Sequence, residues 1–103
     1  HSTRRADFLI GIGYGDSIDK AIKTVQGVLA KDERIQVEPE PMVVVSNLGD
    51  SSVDLTIRVW CAADDYWALT WDLTKGFKEA LDKAGISIPY PQRDVHLFQE
   101  KAA

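Results

Sequence analysis

The sequence predicts an α+β domain whose elements run strand, helix, strand, strand, helix, strand. Three observations carry this. Two segments repeat apolar residues at helical spacing, four shorter runs have strand composition, and Gly/Pro-rich stretches separate them. That order is the ferredoxin-like split βαβ arrangement (βαββαβ), an antiparallel sheet with both helices on one face. At 103 residues, with 45% hydrophobic and 27% charged residues, the chain has the size and composition of one soluble folded domain. The net charge of -4 leaves no basic stripe, which argues against nucleic acid or an anionic membrane surface as the main partner.

The opening His1-Ser2, with no initiator Met, reads as the remnant of a cleaved tag. Residues 1–5 are therefore expected to be tag scar and linker, and the chain to be part of something longer. Asp7 to Tyr14 has strand character, with Phe8, Ile10, Ile12 and Tyr14 on one face and Leu9, Gly11 and Gly13 on the other. Alternating glycines on one face suggest close approach by a helix or a neighbouring subunit. A phosphate-cradling loop would need glycine where Asp16 stands.

Asp16 or Ser17 can cap the first helix, whose stripe is Ile18, Ala21, Ile22, Val25, Val28 and Leu29. Lys31 to Arg34 ends it, and Glu38-Pro-Glu-Pro41 forms a rigid connector. Met42 to Ser46 reads as a buried β-branched strand, and Asn47 to Ser51 as a turn. Ser52 to Trp60 then alternates, with Val53, Leu55, Ile57 and Val59 inward and Asp54, Thr56, Arg58 and Trp60 outward. Arg58 beside Trp60 is either a surface cation–π contact or part of an interface.

Ala62 to Ala84 is the longest periodic segment, with Asp64 and Asp65 at its start and a stripe of Tyr66, Leu69, Leu73, Phe77, Ala80, Leu81 and Ala84. Trp67 and Trp71 stack one turn apart, well off that stripe. Exposed paired tryptophans are typical interface anchors, so a contact with another subunit or domain is expected there. Gly85 stops the helix, Ile86 to Ile88 can return as a short strand, and Pro89 and Pro91 stiffen the exit. Gly85, Pro89 and Pro91 thus form a hinge. The alternating run Asp94-Val-His-Leu-Phe98 beyond it has no partner nearby in sequence.

Catalytic and metal chemistry find little support. Cys61 has no second cysteine, and His96 has no companion outside the opening residues. Asp64-Asp65 and Asp16/Asp19 are better read as helix-start residues than as acid–base pairs. The acylphosphatase chemistry some folds of this class carry wants an arginine-bearing cradle, absent from the turn after Tyr14. No cofactor is expected. A regulatory module binding a small molecule at a subunit interface stays open as the alternative, although no residue set marks a pocket.

Four stretches together resemble the C-terminal cytoplasmic domain of MscS-type small-conductance mechanosensitive channels. They are Phe8-Leu-Ile-Gly-Ile-Gly-Tyr14; Asp50 to Trp60; Tyr66-Trp67 with Trp71-Asp-Leu73 and Phe77-Lys78; and Ala84-Gly-Ile-Ser-Ile-Pro-Tyr-Pro-Gln-Arg-Asp-Val95. The resemblance implies a domain over residues 6–91 and a barrel strand and tail over 92–103. It implies a homo-heptameric cage on the cytoplasmic side of the bacterial inner membrane, in a channel that releases ions and small osmolytes on hypoosmotic shock. This fragment would be soluble, the membrane being reached only through transmembrane segments it lacks. Arg93, Asp94, Val95, His96, Leu97 and Phe98 would give one strand per subunit to a parallel barrel. Arg93 departs from the family's usual Met at its position, so a ring of arginines would change the barrel mouth's charge.

Overall fold

A computed structural model of the protein describes residues 2–89. The α+β class is found, with strands β1 (Thr3–Ile12), β2 (Met42–Leu48) and β3 (Val53–Ala62) and helices α1 (Ile18–Ala30) and α2 (Tyr66–Lys83). The sheet is antiparallel throughout, in the order β1-β3-β2.

β3 is central because its sequence suits two neighbours and one covered face. Val53, Leu55, Ile57, Val59 and Cys61 all point inward and are buried, while the residues between them are half-exposed. β1 answers with Ala6, Phe8, Ile10 and Ile12 on the same side. Ala21, Val25 and Leu29 of α1 and Leu69, Leu73, Phe77 and Leu81 of α2 close this single core, and Phe77 meets Phe8 edge-on at 5.3 Å. Both helices therefore lie on one face of the sheet.

Several expectations are sharpened. β1 begins at Thr3 rather than Asp7, pairing Thr3, Arg4 and Arg5 with Ala62, Cys61 and Trp60, so residues assigned to a linker belong to the sheet. β2 is an edge strand and mostly exposed, not buried. A β-branched run suits pleated pairing as well as burial, so composition alone does not separate edge from centre. A bulge at Ser46, between the pairs Val45–Leu55 and Asn47–Asp54, interrupts that edge. No helix packs on the glycine face of β1, where Leu9 is exposed. The room beside Gly11 and Gly13 is taken instead by Ser52 and by Ser87 with Asp16.

Ser17 caps α1, its hydroxyl accepting from the Lys20 amide at 3.2 Å. Asp64 and Asp65 sit in a 3₁₀ turn, Ala63–Asp65, and neither side chain caps α2. At its other end α2 closes in a Schellman motif. The Ile86 amide donates to the Leu81 carbonyl at 2.9 Å and the Gly85 amide to that of Asp82 at 3.0 Å, with Gly85 at φ +77° and Ile86 buried in the core. The segment after it does not form a fourth strand. It is held beside the end of β1 by one backbone bond, Gly13 N–H to the Ser87 carbonyl at 3.2 Å.

Because a Cβ at Gly85 meets nothing within 4 Å, Gly85→Ala isolates the backbone cost of the left-handed turn. Urea denaturation is expected to show a loss of about 1–2 kcal/mol; an unchanged midpoint would contradict the motif's role. Leu69→Ala, at a fully buried position, is expected to cost about 2–5 kcal/mol in the same assay.

Candidate functional site: an assembly surface

The helical period that buries Leu69, Leu73, Phe77 and Leu81 turns Trp67 and Trp71 outward, because they lie about 100° and 140° from the centre of that stripe. They are 57% and 66% exposed, with ring centroids 6.0 Å apart and planes tilted by 36°. Tyr66 meets Trp67 edge-on at 5.0 Å. The Arg4 guanidinium lies 3.7 Å above the Tyr66 ring and 5.8 Å from that of Trp67. Three aromatic rings and one cation thus form a continuous patch at the junction of β1 and α2. Arg4 was missed as a site residue, though extending the inward alternation back from Phe8 through Ala6 would have reached it.

Arg58 and Trp60 share the open face of the sheet as expected, but they do not pair with each other. The register sets Asp7 opposite Arg58 and Arg5 opposite Trp60. Asp7 accepts from Arg58 Nε at 3.1 Å and pairs with Arg5 at 3.2 Å, and the Arg5 guanidinium stands 5.9 Å from the Trp60 ring. The contact goes to the neighbouring strand because Arg58 finds a carboxylate there. This face is a charged row on β1 and β3, with Leu9 and Val44 exposed beyond it.

Where the chain leaves α2 after Gly85, Asp16 does what neither capping nor phosphate binding required of it. One of its carboxylate oxygens accepts from the Gly13 amide at 3.0 Å, the Ser87 amide at 3.0 Å and the Ser87 hydroxyl at 2.9 Å. These bonds, that of the Ser87 hydroxyl foremost, hold its carboxyl below the usual carboxylate range. The path of the chain after Gly85 is therefore tied to the turn that follows β1. Pro89 ends the described residues and is half-buried. Pro91 and the expected barrel strand, Arg93, Asp94, Val95, His96, Leu97 and Phe98, lie outside the described residues.

A second tie joins the α1–β2 connector to α2. Arg34 holds Asp32 through two bonds of 2.9 and 2.7 Å and reaches Asp72 at 3.1 Å. The Arg34 hydrogen bond lowers the Asp32 pKa. Cys61 is buried, and burial, with Asp65 nearby, pushes its thiol up, away from reactivity. Among the described residues no group of His, Cys, Asp and Glu could hold a metal ion, and no helix is long and apolar enough to cross a membrane. What the arrangement presents at the surface is aromatic rings and charges.

A sequence model of the family described as "Mechanosensitive ion channel MscS, C-terminal" matches residues 6–88. The chain belongs to the MscS family of mechanosensitive ion channels, and these residues correspond to its C-terminal domain. It is 44% identical over 96 residues to an uncharacterized MscS family protein of Synechocystis, covering 93% of this chain and 32% of that one. It is 40% identical to a small-conductance mechanosensitive channel of Edwardsiella ictaluri, covering 93% of this chain and 34% of that one. The crystal structure of Helicobacter pylori MscS in its closed state matches with a TM-score of 0.84 at 32% identity, over 91% of this chain and 38% of that chain. The chain thus spans about a third of the length of these curated relatives. The family is one of channels, not a class of enzymes.

Asp16 gives the site a pH dependence. Its folded-state value is lowered, so its contribution to stability is complete above the usual carboxylate value of about 4 and is lost as pH falls further. Asp16→Ala is expected to lower the melting temperature at neutral pH, with the gap from the parent narrowing as the pH falls below about 4. A gap that stays constant with pH would show that the carboxylate is not the latch.

Proposed function

We propose that this chain is a wall segment of a cytoplasmic cage in a homo-heptameric mechanosensitive channel. In this reading membrane tension opens a pore in other parts of the protein, releasing ions and small osmolytes on hypoosmotic shock. The domain contributes assembly, solute filtering and modulation of gating. Membership of the MscS family supports the reading. The observation that carries it is the Trp67–Trp71 pair, with Arg4 beside Trp67 and both rings left largely in water, as an anchor of a subunit contact would be in a domain taken alone.

The tail completes the proposal. Residues 92–103 would leave each wall segment through the hinge at Gly85, Pro89 and Pro91 and supply a strand to a parallel barrel shared by all copies. Such closure removes the strand edges a lone segment would expose. Arg93 would place one positive charge per copy at that barrel.

Deleting Gln92 to Ala103 from the full-length channel and recording currents under applied pressure tests the role of the tail. Assembly, solute selectivity or recovery from inactivation is expected to change; a channel normal in all three would contradict it. Trp71→Ser is expected to weaken assembly, read by light scattering, while leaving far-ultraviolet circular dichroism unchanged. An unaltered oligomer would remove the assignment of the anchor.

A further inference from the structure

The free edge of β1 and the flank of α2 enclose a groove of about 610 Å³, with Phe8, Leu9, Ile10, Thr70, Phe77 and Ile88 among its lining. Among the described residues no strand pairs with β1 on this side, since the sheet runs β1-β3-β2. The groove is apolar around the edge-on Phe8–Phe77 pair. Its α2 wall carries Thr70, whose buried hydroxyl oxygen has no hydrogen-bond partner among the described residues. Thr74, one turn on, spends its own hydroxyl on the Thr70 carbonyl at 2.7 Å.

The chain itself enters this groove. The Gly13 amide donates to the Ser87 carbonyl and Ile88 already lines the groove, so the chain leaving α2 runs antiparallel to β1, toward Asp7. Sequence holds it on that course. Pro89 and Pro91 have a fixed φ, and Ile88 and Tyr90 each precede a proline, so all four stay extended, over about 10 Å at roughly 3.2 Å per residue. Counting on from Ser87 opposite Gly13 brings Pro89 to Gly11, Tyr90 to Ile10 and Pro91 to Leu9. Ile10 faces the helices, whereas Leu9 is 71% exposed on the open face.

We propose that this groove is the seat of Tyr90, and that residues 86–91 form a strap along the β1 edge. The Tyr90 ring packs against Phe8 and Phe77, its hydroxyl bonds the Thr70 oxygen, and Pro91 covers Leu9. A buried tyrosine needs a partner for its O–H, and Thr70 offers one. The prolines stand where a ladder needs N–H donors, so the strap covers the edge without extending the sheet. Fixed at the Asp16–Ser87 bonds and again at Tyr90, the joint is stiff from Ile86 to Pro91. Gly85 sets its direction, and the tail turns only beyond Pro91. The strap lies within one copy, so its failure would leave the cage reading untouched.

Nuclear magnetic resonance of the whole chain tests the seat. Contacts are expected from the Tyr90 ring to the Phe77 ring and the Thr70 methyl group, with an order parameter of about 0.85 for the Tyr90 amide. Absent contacts, or an order parameter below about 0.6, would overturn the strap. In a mixture of differently labelled chains, contacts found only between copies would give the groove to a neighbour and reject the internal seat. Thr70→Val adds a test of sign. Beside Tyr90 it leaves the tyrosine hydroxyl unpaired and is expected to lower the urea midpoint. In a Tyr90→Phe chain it removes an unpaired buried group, and the midpoint is expected to hold or rise. An equal shift in both backgrounds would reject the hydroxyl pair.

Discussion

Everything in the domain hangs on the inward row of β3. Val53, Leu55, Ile57, Val59 and Cys61 form a continuous apolar strip, none more than 4% exposed, and it has a helix layer on one side only. A three-stranded sheet covered on one face can be stable, but it leaves an open face and two edges in water. The chain handles this with charge and irregularity. Arg5, Asp7 and Arg58 occupy the open face, and the bulge at Ser46 breaks the β2 edge. Those devices deter indiscriminate sheet-to-sheet pairing and leave the aromatic patch on α2 as the main apolar surface on the helix layer.

The ties that are not part of the core all converge on position rather than on chemistry. Arg34 pins the connector to α2 through Asp72, which sets the path of the chain between α1 and β2. Asp16 pins Ser87, which fixes where the chain leaves the domain. Arg4 orders Tyr66 and Trp67. Each lies at or near the surface and each is modest in energy, yet together they set the geometry of three surfaces. In the MscS family this domain is the C-terminal part of a channel, and the proposed role as a wall segment would require surfaces held in a fixed orientation.

How much of this was legible in the sequence follows from which forces are local. The β3 alternation and the stripe of α2 were readable because burial periodicity is written residue by residue, and Trp67 and Trp71 stood out by violating that period. The glycine at 85 was readable because a Schellman turn asks for one residue type at one place. What was hidden depended on register and on competition between partners. Arg58 reaches Asp7 instead of Trp60 only because β1 and β3 pair in the register found, and the same pairing draws Thr3 to Arg5 into the sheet. Asp64 and Asp65 looked like caps, but the chain enters α2 through a 3₁₀ turn that leaves their side chains uninvolved. Asp16 was read as a helix-start residue and as a break in a glycine pattern; two of its three hydrogen bonds reach Ser87, 71 positions away, beyond any local pattern.

The central claim is that the aromatic face of α2 is a surface between copies and not a surface toward water. The most direct measurement is collisional quenching of Trp71 fluorescence, with Trp60, Trp67 and any other tryptophan replaced by phenylalanine, in the full-length channel and in dilute isolated domain. The account predicts an indole open to quencher in the dilute domain and shielded in the channel. Equal quenching in both, with the channel shown to be assembled, would contradict it.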